Sequence, residues 1–305
     1  MNVVMKDVET NGAVRSVVFS SRKPGCFIAG ADVTMLEKCS TAEEAAKLSK
    51  EAQVFSTAEE AAKLSKEAQV FLQRIADSPK PIVAAIMGSC LGGGLEVSMA
   101  CHYRIAAKDK KTVLGLPEVM LGLLPGAGGT QRLPQLVQLP TALDMMLTGR
   151  SIRADRAKKM GLVDQIVEPL GPGLKPQEER MMDYLEEVAI ESARALASGG
   201  LKPNRTRPLP ERLLRLALRY QFVRDTIFNK AKGQVMKLTQ GLYPAPLKIL
   251  EVVRTGIESG PKVGYDAESK AFGELCTTRE AKGLMGLYFG QVACKKNRFG
   301  EPKGE

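Results

Sequence analysis

Along the first 170 or so positions the apolar residues fall in short runs separated by turn-forming residues, and beyond them they recur at helical spacing. Val14 to Phe19 reads as a buried strand, Ser20 to Gly25 as a turn, and Cys26 to Asp32 as a second strand running out into the small residues Ala29, Gly30 and Ala31. Pro81 to Ile86, Tyr103 to Ala107, Thr112 to Gly115 and Val163 to Val167 are further strand patterns. Between them Leu95 to Cys101, Leu133 to Leu147 and Arg153 to Met160 read as helices. Strands alternating with helices predict a layered α/β domain.

Gly171-Pro172-Gly173 marks a boundary, which divides the chain into a core over 1–172 and a mostly helical region over 173–305. Helical patterns there cover Gln177 to Leu196, Glu211 to Leu238, Pro244 to Gly256 and Ala267 to Lys296, with Gly199 to Pro210 a basic, proline-containing linker.

One stretch breaks the pattern. Ser40 to Phe55 is repeated letter for letter in Ser56 to Phe71, and each copy opens as a capping box, Ser40 with Glu43 and Ser56 with Glu59. A 16-residue insertion turns the apolar stripe of a straight helix by about 160°, so both copies cannot face one core. The second copy leads directly into Leu72 and Ile75 and is expected to take the packed position, with Leu64, Val70 and Phe71 more buried than Leu48, Val54 and Phe55.

Composition narrows the function classes. A net charge of +10 suits an acidic partner, such as an anionic membrane surface or a phosphorylated cofactor. Nucleic acid is a poor match, because tryptophan is absent and aromatics make up 5% of the chain, leaving little for base stacking. No apolar run is long enough to span a bilayer, and the first residues carry neither a signal-peptide nor a transit pattern. The six cysteines are scattered without CxxC spacing, so no metal site or disulfide framework is expected and a reducing compartment fits. His102 is the single histidine and reads as structural.

Candidate chemistry gathers between Ile86 and Arg132. A first glycine cluster (Gly88, Gly92, Gly93, Gly94) sits between a strand and a helix that carries Glu96 in its first turn. Free N–H groups at such a helix start can hold a developing oxyanion. Glu118 follows Pro117 and precedes a second cluster (Gly122, Gly126, Gly128, Gly129). If the chain folds back, Glu96 and Glu118 form a carboxylate pair suited to proton transfer. No GxGxxG follows a strand and no GK[ST] follows a glycine loop, so neither an NAD site nor a P-loop is indicated.

Ala29-Gly30-Ala31-Asp32, Gly92-Gly93-Gly94-Leu95-Glu96, Pro117-Glu118 and Pro125-Gly126-Ala127-Gly128-Gly129-Thr130-Gln131-Arg132 together resemble, in order, the pattern of the enoyl-CoA hydratase (crotonase) family. Within it the closer likeness is to the hydratase portion of trifunctional-enzyme alpha subunits, through Leu147 to Asp155, Gly241 to Pro246 and Gly286-Leu287-Tyr288. The resemblance implies an α/β fold of stacked β-β-α turns followed by a mostly helical C-terminal region, and an acyl-CoA thioester substrate. By the same resemblance Glu96 and Glu118 are catalytic, and the N–H groups of Ala31 and Gly93 form the oxyanion hole. Ala29, Gly30, Asp32, Gly92, Pro117 and Gly126 then line the substrate. No resident cofactor or metal is implied, since coenzyme A arrives as part of the substrate. A mitochondrial setting and a thiolase-type beta subunit as partner are implied too.

The chain departs from the family pattern in three places. The family's strands and helix that precede the position of Met1 have no counterpart, which reads as an N-terminal truncation. The duplication follows the oxyanion loop, and Met87 stands where the family commonly has Asn.

Overall fold

The computed structural model describes residues 2–29 and 57–295. Among the described residues, eight strands form two four-stranded sheets, each receiving one strand from every successive turn of the chain. The first sheet has β1 (Val17–Ser20), β3 (Ile82–Ile86), β5 (Tyr103–Ala107) and β8 (Gln165–Val167), all parallel. In the second, β2 (Cys26–Ala29), β4 (Ser89–Leu91) and β6 (Val113–Gly115) run parallel, and β7 (Ile152–Arg153) closes the edge antiparallel. Strand pairs followed by a helix therefore stack as a spiral, the expected β-β-α repeat.

Ten helices matter to this architecture. They are α1 (Asn2–Thr10), α2 (Ala58–Ala76), α3 (Gly93–Ala100), α4 (Gly129–Leu136), α5 (Leu139–Thr148), α6 (Ala154–Lys159), α7 (Gln177–Ala197), α8 (Leu209–Ala217), α9 (Gln221–Thr239) and α10 (Pro244–Ser259). Two more, α11 (Pro261–Cys276) and α12 (Arg279–Lys295), complete the described chain.

Every residue of β3 is buried, and its alternation feeds two cores. Ile82, Ala84 and Ile86 point into the main core with Leu95, Leu114 and Leu133. Val83, Ala85 and Met87 point the other way, onto Leu185 and Ala189 of α7. Met87 is 4% exposed, so its apolar side chain fills the second core. His102 is structural in its contacts: Nδ1 accepts from the Ile82 N–H at 3.1 Å, and burial lowers its pKa.

Several boundaries differ from the sequence pattern. The predicted helix Leu133 to Leu147 is two helices, α4 and α5, because Val137 and Gln138 are extended and Pro140 sits in the first turn of α5, where its missing N–H costs nothing. Glu211 to Leu238 is also interrupted. Arg224 Nη1 caps the Leu218 and Arg219 carbonyls at 3.0 and 2.8 Å, which ends α8 and lets α9 start from an extended Tyr220. The segment starting at Ala267 begins earlier, at Pro261, and breaks at Thr277 and Thr278, whose hydroxyls take up the Glu274 and Leu275 carbonyls.

The second copy of the duplicated segment forms α2. Its N-cap is Thr57 rather than Ser56: the Thr57 hydroxyl accepts from the Glu60 N–H at 3.2 Å. The packed face follows the expected apolar stripe only at Phe71, which packs half-buried against the main core. Ala61, Ser65, Gln69, Leu72 and Ile75 are buried, while Leu64 and Val70 are 48% and 55% exposed. The reason lies in α11, which packs closely along α2 and offers polar partners. Ser65 Oγ donates to the Gly126 carbonyl at 2.5 Å, and Gln69 Nε2 donates to the Tyr265 carbonyl and the Glu268 carboxylate at 3.0 and 2.9 Å. The first copy, with Leu48, Val54 and Phe55, lies outside the described residues.

Candidate active site

The site is built where α3, the turn after β6 and the start of α4 converge. Gly94 lets α3 sit directly on β2: a Cβ there would come within 2.3 Å of the Ile28 carbonyl. That contact fixes the helix start beneath the end of β2, with Gly92 as N-cap and Glu96 in the first turn. Among the described residues no acceptor takes the Gly93 N–H, and a Cβ added at Gly93 would meet open space. An open face with an unpaired donor is what an oxyanion site requires. Ala29, at the end of β2, is exposed beside it and paired with Leu91. Gly30, Ala31 and Asp32 lie outside the described residues, as does any donor Ala31 supplies.

Glu96 is 3% exposed, and its Oε1 accepts from the Ala127 and Gly129 N–H groups at 2.8 and 2.7 Å. Burial raises its pKa, while these two donors and the Arg132 charge pull it back. Arg132 itself donates to the Ala127 carbonyl and to Gln73, and lies over the Tyr265 ring.

Glu118 opens a short 3-10 turn, Glu118–Leu121, behind Pro117. Its Oε2 is a buried atom with no hydrogen-bond partner among the described residues. Burial, and after it the charge of Glu96, holds its carboxyl well above the usual range, with Glu268 adding to the effect. The two acids expected to work together are thus brought within electrostatic reach of each other. They are unequal: Glu96 is supplied with two loop donors and the Arg132 charge that favour its anion, whereas Glu118 has its own backbone N–H and an Oε2 with no partner among the described residues.

Pro117 supplies the carbonyl that starts this turn, accepting from the Met120 N–H at 2.9 Å. Gly126 is placed against α2 and α11: its carbonyl takes the Ser65 hydroxyl, and its Cα faces the Phe272 ring. Gly128, with φ of +104°, is the left-handed N-cap of α4 and turns the loop so that its N–H groups point inward.

A third carboxylate was not singled out from the sequence. Glu268 of α11 is fully buried and accepts from the Gly128 N–H at 2.6 Å, the Thr130 N–H at 3.0 Å, the Thr130 hydroxyl, and Gln69 at 2.9 Å. Burial and the Glu96 charge push its carboxyl up to about 8, against the pull of those donors. The only sequence signal was an acid on the inner face of a helix, at Ala271 and Leu275 spacing. Among the described residues no group of histidine, cysteine and acidic side chains is placed to hold a metal ion.

A family model described as enoyl-CoA hydratase/isomerase matches residues 1–198. Among solved structures the chain is similar to an enoyl-CoA hydratase from Bacillus anthracis, at 26% identity with a TM-score of 0.49, covering 96% of this chain and 84% of that one. It is similar in fold to the human mitochondrial delta3-delta2-enoyl-CoA isomerase, at 20% identity and a TM-score of 0.56, over 97% and 86% of the two chains. An enoyl-CoA hydratase/isomerase from Xanthobacter autotrophicus Py2 gives 21% and 0.52, over 95% and 86%.

Proposed function

The chain belongs to the enoyl-CoA hydratase/isomerase family, and from that premise we propose that it hydrates 2-enoyl-CoA to 3-hydroxyacyl-CoA in fatty acid β-oxidation. The observation that carries this reading is the unequal pair of acids, Glu96 buried and Glu118 half-buried with its Oε2 enclosed. Glu96, surrounded by donors, takes a proton from water as the oxygen bonds to C3. Glu118, whose pKa is raised, gives a proton to C2. One proton is taken and one given, so the pair returns to its starting charge when proton exchange restores each acid. Between these events negative charge develops on the thioester oxygen, and the Gly93 N–H, with that of Ala31, is the donor set proposed for it. Gly92, Pro117, Gly126, Ala29, Gly30 and Asp32 are proposed to line the bound thioester.

A second reading, isomerisation of a 3-enoyl-CoA, needs one acid that removes and returns a proton, and Glu118 alone could serve. A third is a subunit that keeps the fold and its interfaces without turnover. The donors on Glu96 favour hydration, because isomerisation has no use for a second acid. Offering the purified chain crotonyl-CoA, a long-chain 2-enoyl-CoA and a 3-enoyl-CoA tests all three. Hydration of either 2-enoyl thioester supports the proposal; turnover of the 3-enoyl substrate alone, or of none, overturns it.

The finer assignment, to the hydratase portion of a mitochondrial trifunctional-enzyme alpha subunit with a thiolase-type beta subunit as partner, is proposed from the sequence likeness. Peripheral contact with an anionic membrane belongs to the same proposal. The net charge of +10 supports it, as do the exposed Leu209, Leu213 and Leu216 of α8 among arginines.

A further inference from the structure

Four consecutive backbone N–H groups, from Ala127 to Thr130, are shared alternately between two buried carboxylates. Ala127 and Gly129 donate to Glu96, whereas Gly128 and Thr130 donate to Glu268. The loop is therefore held from both sides: by α3 below, through Glu96, and by α11 above, through Glu268. We propose that Glu268 is a positioning residue for the hydration reaction, fixing the 127–130 loop so that its other donors aim and charge-balance Glu96. This rests on the hydratase reading given above.

The alternative, an acid that merely fills space, does not fit the contacts. All four partners donate to Glu268, and the Thr130 hydroxyl that donates to it is itself an acceptor for Gln131 at 2.9 Å. Such a set orients a carboxyl and holds it in one place. Removing it would leave the Gly128 and Thr130 N–H groups buried without acceptors, and the loop could not keep its register on Glu96.

The charge of Glu96 also reaches Glu268 and, with burial, keeps it protonated. The titratable and charged groups facing this cluster are Glu96 from α3, Glu118 from the 3-10 turn, Arg132 from α4, Asp77 beyond the end of α2, and Tyr265 from α11 itself. From α10 the approach is through Gly256, against which the Gln131 amide packs. Glu96 and Glu268 thus titrate as a pair.

The test compares the parent with Glu268→Gln and with Thr130→Val, which deletes one donor and keeps the carboxyl. In Glu268→Gln, kcat for crotonyl-CoA should fall by about 10²-fold, the scale of a misplaced catalytic group, with KM little changed. The acid limb of the kcat/KM profile should move to higher pH, because a loosened loop no longer aims the Ala127 and Gly129 donors that pull the Glu96 carboxyl down. A purely structural role would not move that limb in this direction. Thr130→Val should lower kcat less, again with KM kept, and decides the matter if the glutamine variant does not fold. Amide NMR titration of Ala127 and Gly129, whose N–H groups report Glu96 ionisation, supplies a readout independent of turnover. If the parent hydrates neither a short nor a long 2-enoyl-CoA, the proposed function fails and this titration alone decides the role of Glu268. Unchanged kcat and unchanged acid limb in folded variants, or an Ala127 and Gly129 titration unaffected by Glu268→Gln, overturns the inference.

Discussion

The loop 126–130 and the 3-10 turn at Glu118–Leu121 border the same buried cluster, yet they treat its acids in opposite ways. The loop spends its four N–H groups from Ala127 to Thr130 on Glu96 and Glu268. The turn leaves Glu118 Oε2 without any partner among the described residues. Burial raises all three pKa values; donors pull Glu96 and Glu268 back, while the charge of Glu96 pushes Glu118 and Glu268 further up. Glu118, pushed up by burial and the Glu96 charge, holds its proton and can give it; Glu96, whose anion two N–H groups and Arg132 favour, can accept one from water.

The sharpest way to break this comparison is to remove the acids singly. Glu118→Gln should lower hydration by about 10²- to 10⁴-fold, the range for a lost general acid, and should abolish any isomerase activity as well. Glu96→Gln should lower hydration on a similar scale while sparing isomerisation. Steady-state assays on 2-enoyl and 3-enoyl substrates give the answer; equal loss of both activities in Glu96→Gln would mean that the two acids are not specialised.

Somewhat smaller is the effect of the unpaired donor at the start of α3. Gly93→Pro deletes the N–H that no described residue accepts, and should lower kcat by about 10²- to 10³-fold, as for one lost oxyanion donor. Pro is tolerated in a first helical turn, so circular dichroism should show the fold retained. Full activity in a folded variant would exclude Gly93 from the site.

The same contrast has a signature in stability. Glu268 rises from 4.5 to about 8 on folding, so the folded state holds a proton that the unfolded chain has released. Its contribution is present in full below the lower value and is lost as pH rises through about 8. Urea midpoints should therefore decline across that window in the parent and decline less in Glu268→Gln. A decline of equal slope in both would place the raised pKa on another group.

How far these features could be read from the sequence depends on whether the determinant is local. Tyr103–Ala107 is a strand at the predicted bounds because its buried run lies between sharp breaks. Glu96 and Glu118 stood out because glycines and Pro117 mark the turns that present them. Glu268 was not legible: its partners Gln69 and Thr130 lie 199 and 138 positions away, and no local pattern announces a pairing across α2, α4 and α11. Helix ends at Leu218 and Thr277 were missed for a related reason, since side-chain caps, Arg224 in one case and the threonine hydroxyls in the other, end them without glycine or proline.

The smallest expected effect concerns α2, where sequence and structure choose different faces. Hydrophobicity would turn Leu64 and Val70 inward. Tertiary packing instead turns Ser65 and Gln69 inward, because α11 offers Ser269, the Tyr265 carbonyl and Glu268 at the facing positions. Close approach reinforces the choice: at Gly273 a Cβ would come within 2.2 Å of the Ala58 carbonyl, so only small residues fit where the two helices touch. Leu64→Ala should then change stability by no more than about 0.5 kcal/mol, as for a surface site. Leu72→Ala, at a position 3% exposed, serves as the control and should cost about 2–5 kcal/mol. Urea unfolding of both variants measures the difference directly. A Leu64→Ala cost approaching that of Leu72→Ala would mean that Leu64 is covered in solution and that the polar face of α2 is not the one the core selects.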